Sequence, residues 1–196
     1  MASAYIQRHI LRLPATKIFT TRELLQYGSR GAVDQTLYRL VLSKNIVRLA
    51  RGVFVRDDSD NPSQETILLA KAAAWGKTVF QHAQKILAPL GLADLSKKQK
   101  STYAINAHSS TFDTKQGRVY VHGIGTRRVR LCQSEAGKIA YALWHLREYN
   151  CTKRHVTIAT SSFGRTERQE FRLQSAFMPA WLHHLCYFRY APARVP

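Results

Sequence analysis

The sequence predicts an α+β chain in two parts: an N-terminal winged helix-turn-helix over residues 1–56, and a mixed α+β domain over 64–196 built around a small antiparallel sheet. Three observations carry this. Helical apolar spacing gives way to a β-branched hairpin within the first 56 residues. The run Asp57-Asp58-Ser59-Asp60-Asn61-Pro62-Ser63 reads as a linker over 57–63. Beyond it, helical segments are followed by strand-forming segments and then by helix again. A chain of 196 residues with 45% hydrophobic residues buries a core without disulfide or metal staples.

Ile6, Ile10 and Leu13 recur at helical spacing, and Pro14 stops that helix. Thr20-Thr21-Arg22-Glu23 has capping-box spacing and opens a short helix ending near Gly28. Ser29 caps a third helix over about residues 30–43, whose apolar stripe is Val33, Leu37, Leu40 and Val41 and whose opposite face carries Arg30, Gln35, Tyr38 and Arg39. The runs Ile46–Leu49 and Val53–Val55 flank Ala50-Arg51-Gly52, a hairpin in which Gly52 supplies positive φ. This order of elements, with Arg at the hairpin tip, is that of a winged helix-turn-helix.

Downstream, helices are expected over Gln64–Trp75, capped by Ser63, and over Val79–Leu90. Strands are expected over Thr102–Asn106, Arg118–His122 and Arg127–Leu131, and a helix opened by Ser134-Glu135 carries Ile139, Leu143, Trp144 and Leu146. The tail, 151–196, is the least legible part. It shows a strand signal at Val156-Thr157-Ile158 and helical signals over Thr166–Leu173 and Ala180–Phe188.

Thirty Lys and Arg stand against twelve Asp and Glu, a formal net charge of +18. A folded chain so rich in Arg favours an anionic partner, nucleic acid ahead of an anionic membrane surface. The first 56 residues are the most basic part, with ten basic and two acidic residues. Three cysteines without C-x-x-C spacing indicate neither a disulfide framework nor a zinc knuckle. No secretory signal and no membrane span is evident, so a cytoplasmic location is expected.

The segment "IFTTRELLQYGSRGAVDQTLYRLVLSKNIVRLARGVFV" resembles the N-terminal winged-helix domain of AbiEi-type antitoxins of type IV toxin–antitoxin (abortive infection) systems. The segments "ETILLAKAAAWGKTVFQHAQKILAPLGL", "YAINAH…GRVYVHGIGTRRVRL" and "SEAGKIAYALWHL" look like that family's second domain, so the resemblance covers roughly residues 5–150. It implies a transcriptional autorepressor that binds double-stranded operator DNA through its first domain. It also implies that the second domain helps to counter a nucleotidyltransferase-type toxin. Residues 151–196 match nothing in that family.

For DNA, the third helix offers Arg30, Gln35, Tyr38 and Arg39 to base edges, because Arg pairs with guanine and Gln with adenine in bidentate fashion. Asp34 is a spacing or helix-dipole residue. Ser29 and Thr36 can meet phosphates, and Arg48 and Arg51 on the wing can grip the backbone or enter a minor groove. Against each stands the plain alternative of capping or solvation. Strand alternation would place Arg128 and Arg130 on one face, so that Arg127, Arg128 and Arg130 form a second-domain basic face, either anion-binding or merely solvated.

Enzyme readings are poorly supplied. His183, His184 and Cys186 offer only one metal-ligand pair, and the densest acidic run falls in the linker. No P-loop and no G-x-S-x-G is present. A nucleic-acid enzyme or enzyme accessory using His82, His108, His122 or His155 for acid–base work is the alternative, although no spacing assembles those histidines. The expectation is therefore a non-enzymatic binding protein with no cofactor, metal or catalytic residue.

Overall fold

A computed structural model describes residues 2–57, 62–93 and 103–187, and it is α+β with two small sheets. Most of the Asp-rich linker and residues 188–196 lie outside the described residues. Two compact units are present, residues 1–79 with 110–120 and residues 80–109 with 121–196. The chain thus does not divide at 57–63: the helix after the linker and a later hairpin belong to the first unit.

In the first unit, helix α1 (Ala2–Arg12) buries Ile6 and Ile10 and stops before Pro14. A two-residue strand, β1 (Phe19–Thr20), leads into a 3₁₀ turn over Glu23–Tyr27. Thr20 and Glu23 bond to each other at the start of that turn. The Thr20 hydroxyl donates to Glu23 Oε1 at 2.8 Å, its backbone N–H donates to the same oxygen, and its Oγ1 accepts from the Glu23 N–H. Helix α2 (Arg30–Leu42) follows, with the Ser29 hydroxyl accepting from the Ala32 N–H.

Strands β2 (Val47–Ala50) and β3 (Val53–Val55) form a hairpin through Gly52, at φ 77°. The unexpected strand β1 pairs antiparallel with β3, Phe19 opposite Phe54 and Thr20 opposite Val53, giving the order β1-β3-β2. The Phe19 and Phe54 rings stack at 6.0 Å over a core of Ile6, Ile10, Leu24, Val33, Leu37, Leu40 and Ile46. The hairpin is thereby fixed to the helices by paired backbone and by buried rings. Helix α3 (Gln64–Ala74), capped by Ser63, buries Ile67, Leu68 and Ala72.

The expected helix over 79–90 is instead strand β4 (Val79–Gln81), then His82 as N-cap of the short helix α4 (Ala83–Leu87). Strands β5 (Tyr103–Ile105), β6 (Ser110–Thr114) and β7 (Gly117–Gly123) follow, and the four strands hydrogen-bond in the order β4-β5-β7-β6. The division between units falls within the continuous strand β7. The expected antiparallel sheet is corrected at its centre, because β5 and β7 run parallel, Tyr103 opposite Val121 and Ile105 opposite Gly123. An intervening strand, β6, makes that direction possible.

The expected strand over Arg127–Leu131 is helix α5 (Thr126–Leu131), shown by the Val129 N–H donating to the Gly125 carbonyl and that of Cys132 to Arg128. Helix α6 (Glu135–His145), capped by Ser134, carries the core of the second unit: Ala136, Ala140, Tyr141, Ala142 and Leu143 are all buried. The strand signal at 156–158 is likewise overturned by helix α7 (Lys153–Ala159), where His155 closes a capping box with Thr152. Helices α8 (Arg165–Leu173) and α9 (Ala180–Tyr187) complete the described tail and bury Phe171 and Leu182 against α6 and its neighbours.

Two glycines on helices give opposite expectations. A methyl at Gly137 in α6 would collide with the Leu131 carbonyl, whereas one at Gly31 in α2 would meet nothing within 4 Å. Gly137→Ala should therefore lower stability by about 1–3 kcal/mol, while Gly31→Ala should raise it by up to about 1 kcal/mol. Urea midpoints of the two variants check this, and equal midpoints would contradict the packing at Gly137.

Candidate nucleic-acid interface

The first unit contains a groove of about 580 Å³ between the start of the 3₁₀ turn, α2, the β2–β3 hairpin and the last turn of α3. Arg22 lines it from the turn, Arg30, Asp34, Leu37, Tyr38 and Val41 from α2, Arg48 and Arg51 from the hairpin, and Lys71, Ala74 and Trp75 from α3. Arg30 and Asp34 neutralise each other through an exposed i,i+4 pair at 2.7 Å. Among the described residues, none of Arg22, Arg48, Arg51 and Lys71 is ion-paired.

Local bonding holds these cations in place. Lys71 Nζ donates to the Arg51 carbonyl at 3.0 Å and lies 5.3 Å from the centre of the Phe112 ring. Burial lowers the Lys71 pKa, and the charges of Arg51 and Arg48 lower it further. The Arg22 guanidinium stacks over Trp75 at 4.3 Å, yet that indole remains 62% exposed. Tyr38 is 65% exposed on the α2 side. Together these make a cationic groove with aromatic surface and no compensating charge beyond Asp34, which is suited to an anion carrying planar groups.

Of the residues singled out from sequence, Arg30, Tyr38, Arg48 and Arg51 come together here. Gln35 and Arg39 are exposed on α2 but do not line the groove. Ser29 Oγ accepts from the Ala32 N–H at the α2 cap, which leaves its O–H able to donate. Thr36 is corrected: it is 3% exposed, its Oγ1 donates to the Ala32 carbonyl and it lies 2.9 Å from Ser3 Oγ, so it cannot reach a phosphate. Arg22, Lys71 and Trp75 were missed. A signal existed, because Ile67, Leu68, Lys71, Ala72 and Trp75 form one helical stripe with a cation at its centre.

The strand geometry expected for the second-unit basic residues is corrected. With Arg127–Leu131 helical, strand alternation does not apply. Arg127 donates to the Met178 carbonyl, and its guanidinium and that of Arg128 both lie over the Trp144 ring. Arg127 and Arg130 are exposed and Arg128 is half-buried. Two of these arginines thus serve packing, each on the same indole.

The second unit does gather histidines, but not the expected set. His82, His122 and His145 pack edge to face with centroids 4.8–6.3 Å apart. His155 caps α7, and His108 is exposed elsewhere. No group of three His, Cys, Asp or Glu among the described residues is placed to hold a metal ion. His82 is 3% exposed, and its Nδ1 accepts from the Gln84 N–H at 3.4 Å. Burial, with His145 and His122 beside it, pushes its pKa down to about 4. Burial also lowers His122 and His145, and the Arg128 charge adds to both. No helix among the described residues is long and apolar enough to cross a membrane. Compared with family models, curated proteins and solved structures, the chain matches none.

The histidine cluster sets a pH dependence. In the unfolded chain His82 titrates near 6.5 and in the folded chain near 4, so between those values the unfolded state holds more protons. The stability from keeping His82 neutral is complete above about pH 6.5 and is lost as pH falls toward 4, up to about 3 kcal/mol. His82→Asn keeps a capping acceptor and removes the titration. Its urea midpoint should therefore fall less than that of the parent between pH 7.5 and 5, and parallel pH profiles would contradict the assignment.

Proposed function

We propose that residues 1–56 form a winged helix-turn-helix that binds double-stranded DNA, and that the chain is a sequence-specific transcriptional repressor. The observation that carries this reading is the set of four cations, Arg22, Arg48, Arg51 and Lys71, that have no ion-pair partner among the described residues and line one groove beside the exposed face of α2. Like charges held together by a fold, in a chain of net charge +18, are best matched by a polyanion. The hairpin arginines and Lys71 take phosphates. Gln35, Tyr38 and Arg39 on the outward side of α2 are offered to base edges in the major groove. The backbone contact set therefore extends past the linker to α3.

On the resemblance of residues 5–150, the repressor is proposed as the antitoxin half of a pair whose toxin is of nucleotidyltransferase type. The proposal for the second unit rests on the sequence resemblance.

The test uses a duplex selected from a random pool. Changing Arg48, Arg51 and Lys71 together to Gln should flatten the log–log salt dependence of binding by about 0.9 per lost phosphate contact, without changing the unfolding free energy by more than about 0.5 kcal/mol per site. An unchanged salt slope would reject the groove as the DNA contact. Gln35→Ala should narrow the preference for the selected duplex over a scrambled one by about 1–3 kcal/mol. Equal weakening on both would reassign Gln35 to the backbone.

A further inference from the structure

Duplex binding leaves Trp75 unexplained. In a duplex the bases are stacked on one another, so a protein indole beside the backbone finds no base face to cover. Trp75 nevertheless lies in the cationic groove, 62% exposed, with Arg22 over its ring. An exposed aromatic ring next to a cation row is the arrangement that receives an unstacked base.

The spacing suits a single nucleotide. Lys71 lies in the last turn of α3 and Trp75, four residues on, is its C-cap, and both line the same groove. Lys71 donates to the Arg51 carbonyl, Arg48 lines the same groove, and Arg22 lies over the Trp75 ring. A phosphate group at Lys71, Arg48 and Arg51 would leave its own base within reach of the indole. The groove's volume, about 580 Å³, lies in the range of small-ligand pockets. Lys71, Arg48 and Arg51, none of them ion-paired among the described residues, answer several negative charges at one end of the groove, as in a polyphosphate, rather than the one charge per phosphate of a chain.

We propose that this groove is a binding site for a free nucleoside 5′-triphosphate, with the phosphates on Lys71, Arg48 and Arg51 and the base against Trp75. The ligand shares three cations with the proposed DNA backbone contact, so it is a competitor of DNA if that reading holds. Nucleotide binding itself does not depend on it.

The experiment titrates the full chain with ATP and, as the base-free probe, with inorganic triphosphate, both without magnesium. ATP should bind at least about tenfold more tightly than triphosphate, the margin that stacking on an aromatic side chain supplies. Trp75→Ala should erase that margin and leave triphosphate affinity as it was, Trp75→Phe should keep part of it, and Lys71→Gln should weaken both ligands. Equal affinities in the parent chain, or a margin that survives Trp75→Ala, would overturn the proposal. A single-stranded oligonucleotide that binds more tightly than ATP through Trp75 would overturn the choice of a free nucleotide. A chain that binds ATP as stated but no duplex upholds this inference and removes the DNA reading. A chain that binds duplex without preferring ATP over triphosphate does the reverse.

Discussion

Four cations held in one groove, none of them ion-paired among the described residues, set the terms for the rest of the first unit. Arg48 and Arg51 come from a hairpin, Arg22 from a turn and Lys71 from a helix beyond the linker, and their mutual repulsion opposes that assembly. Several ordinary interactions offset it. The β1–β3 pairing and the Phe19–Phe54 stack fix the hairpin, the Arg51 carbonyl accepts from Lys71, and Trp75 carries Arg22 on its ring. Burial lowers the Lys71 pKa, and the charges of Arg51 and Arg48 lower it further. An anion in the groove would offset the mutual repulsion of these cations.

The second unit handles charge in the opposite way. Arg127 and Arg128 lie on Trp144, and three imidazoles sit together in their neutral forms beside Arg128. Here apolar surface and depressed titration keep charge out, whereas the first unit gathers charge and leaves it unmatched. The two units therefore differ in chemistry although both are basic in sequence.

The sequence was most informative where structure is local. Ser29 capping α2, the Val33–Leu37–Leu40 stripe, and Gly52 between two β-branched runs each follow from a few neighbouring residues, and each is present. Elements that depend on distant partners were not legible. Strand β1 is two residues long and exists only because β3 lies beside it. Arg127–Leu131 alternates like a strand, but Gly125 opens a helical turn and Leu131 is buried, so packing overrode pattern. Val156-Thr157-Ile158 is β-branched, yet the box between Thr152 and His155 starts a helix there, with a histidine where Glu or Gln is the usual signal.

The site divides in the same manner. Arg30, Tyr38, Arg48 and Arg51 were legible because helix and hairpin periodicity places them outward. Lys71 and Trp75 join them only through tertiary packing across the linker, and His82, His122 and His145 are brought together from three separate elements. The central claim is that nucleic acid occupies the groove of the first unit. Amide hydrogen exchange of the full chain with and without a selected 20-base-pair duplex tests it most directly. The account predicts slowed exchange in α2, in the β2–β3 hairpin and around Lys71–Trp75, with none in α7 to α9. Protection confined to the second unit would contradict it.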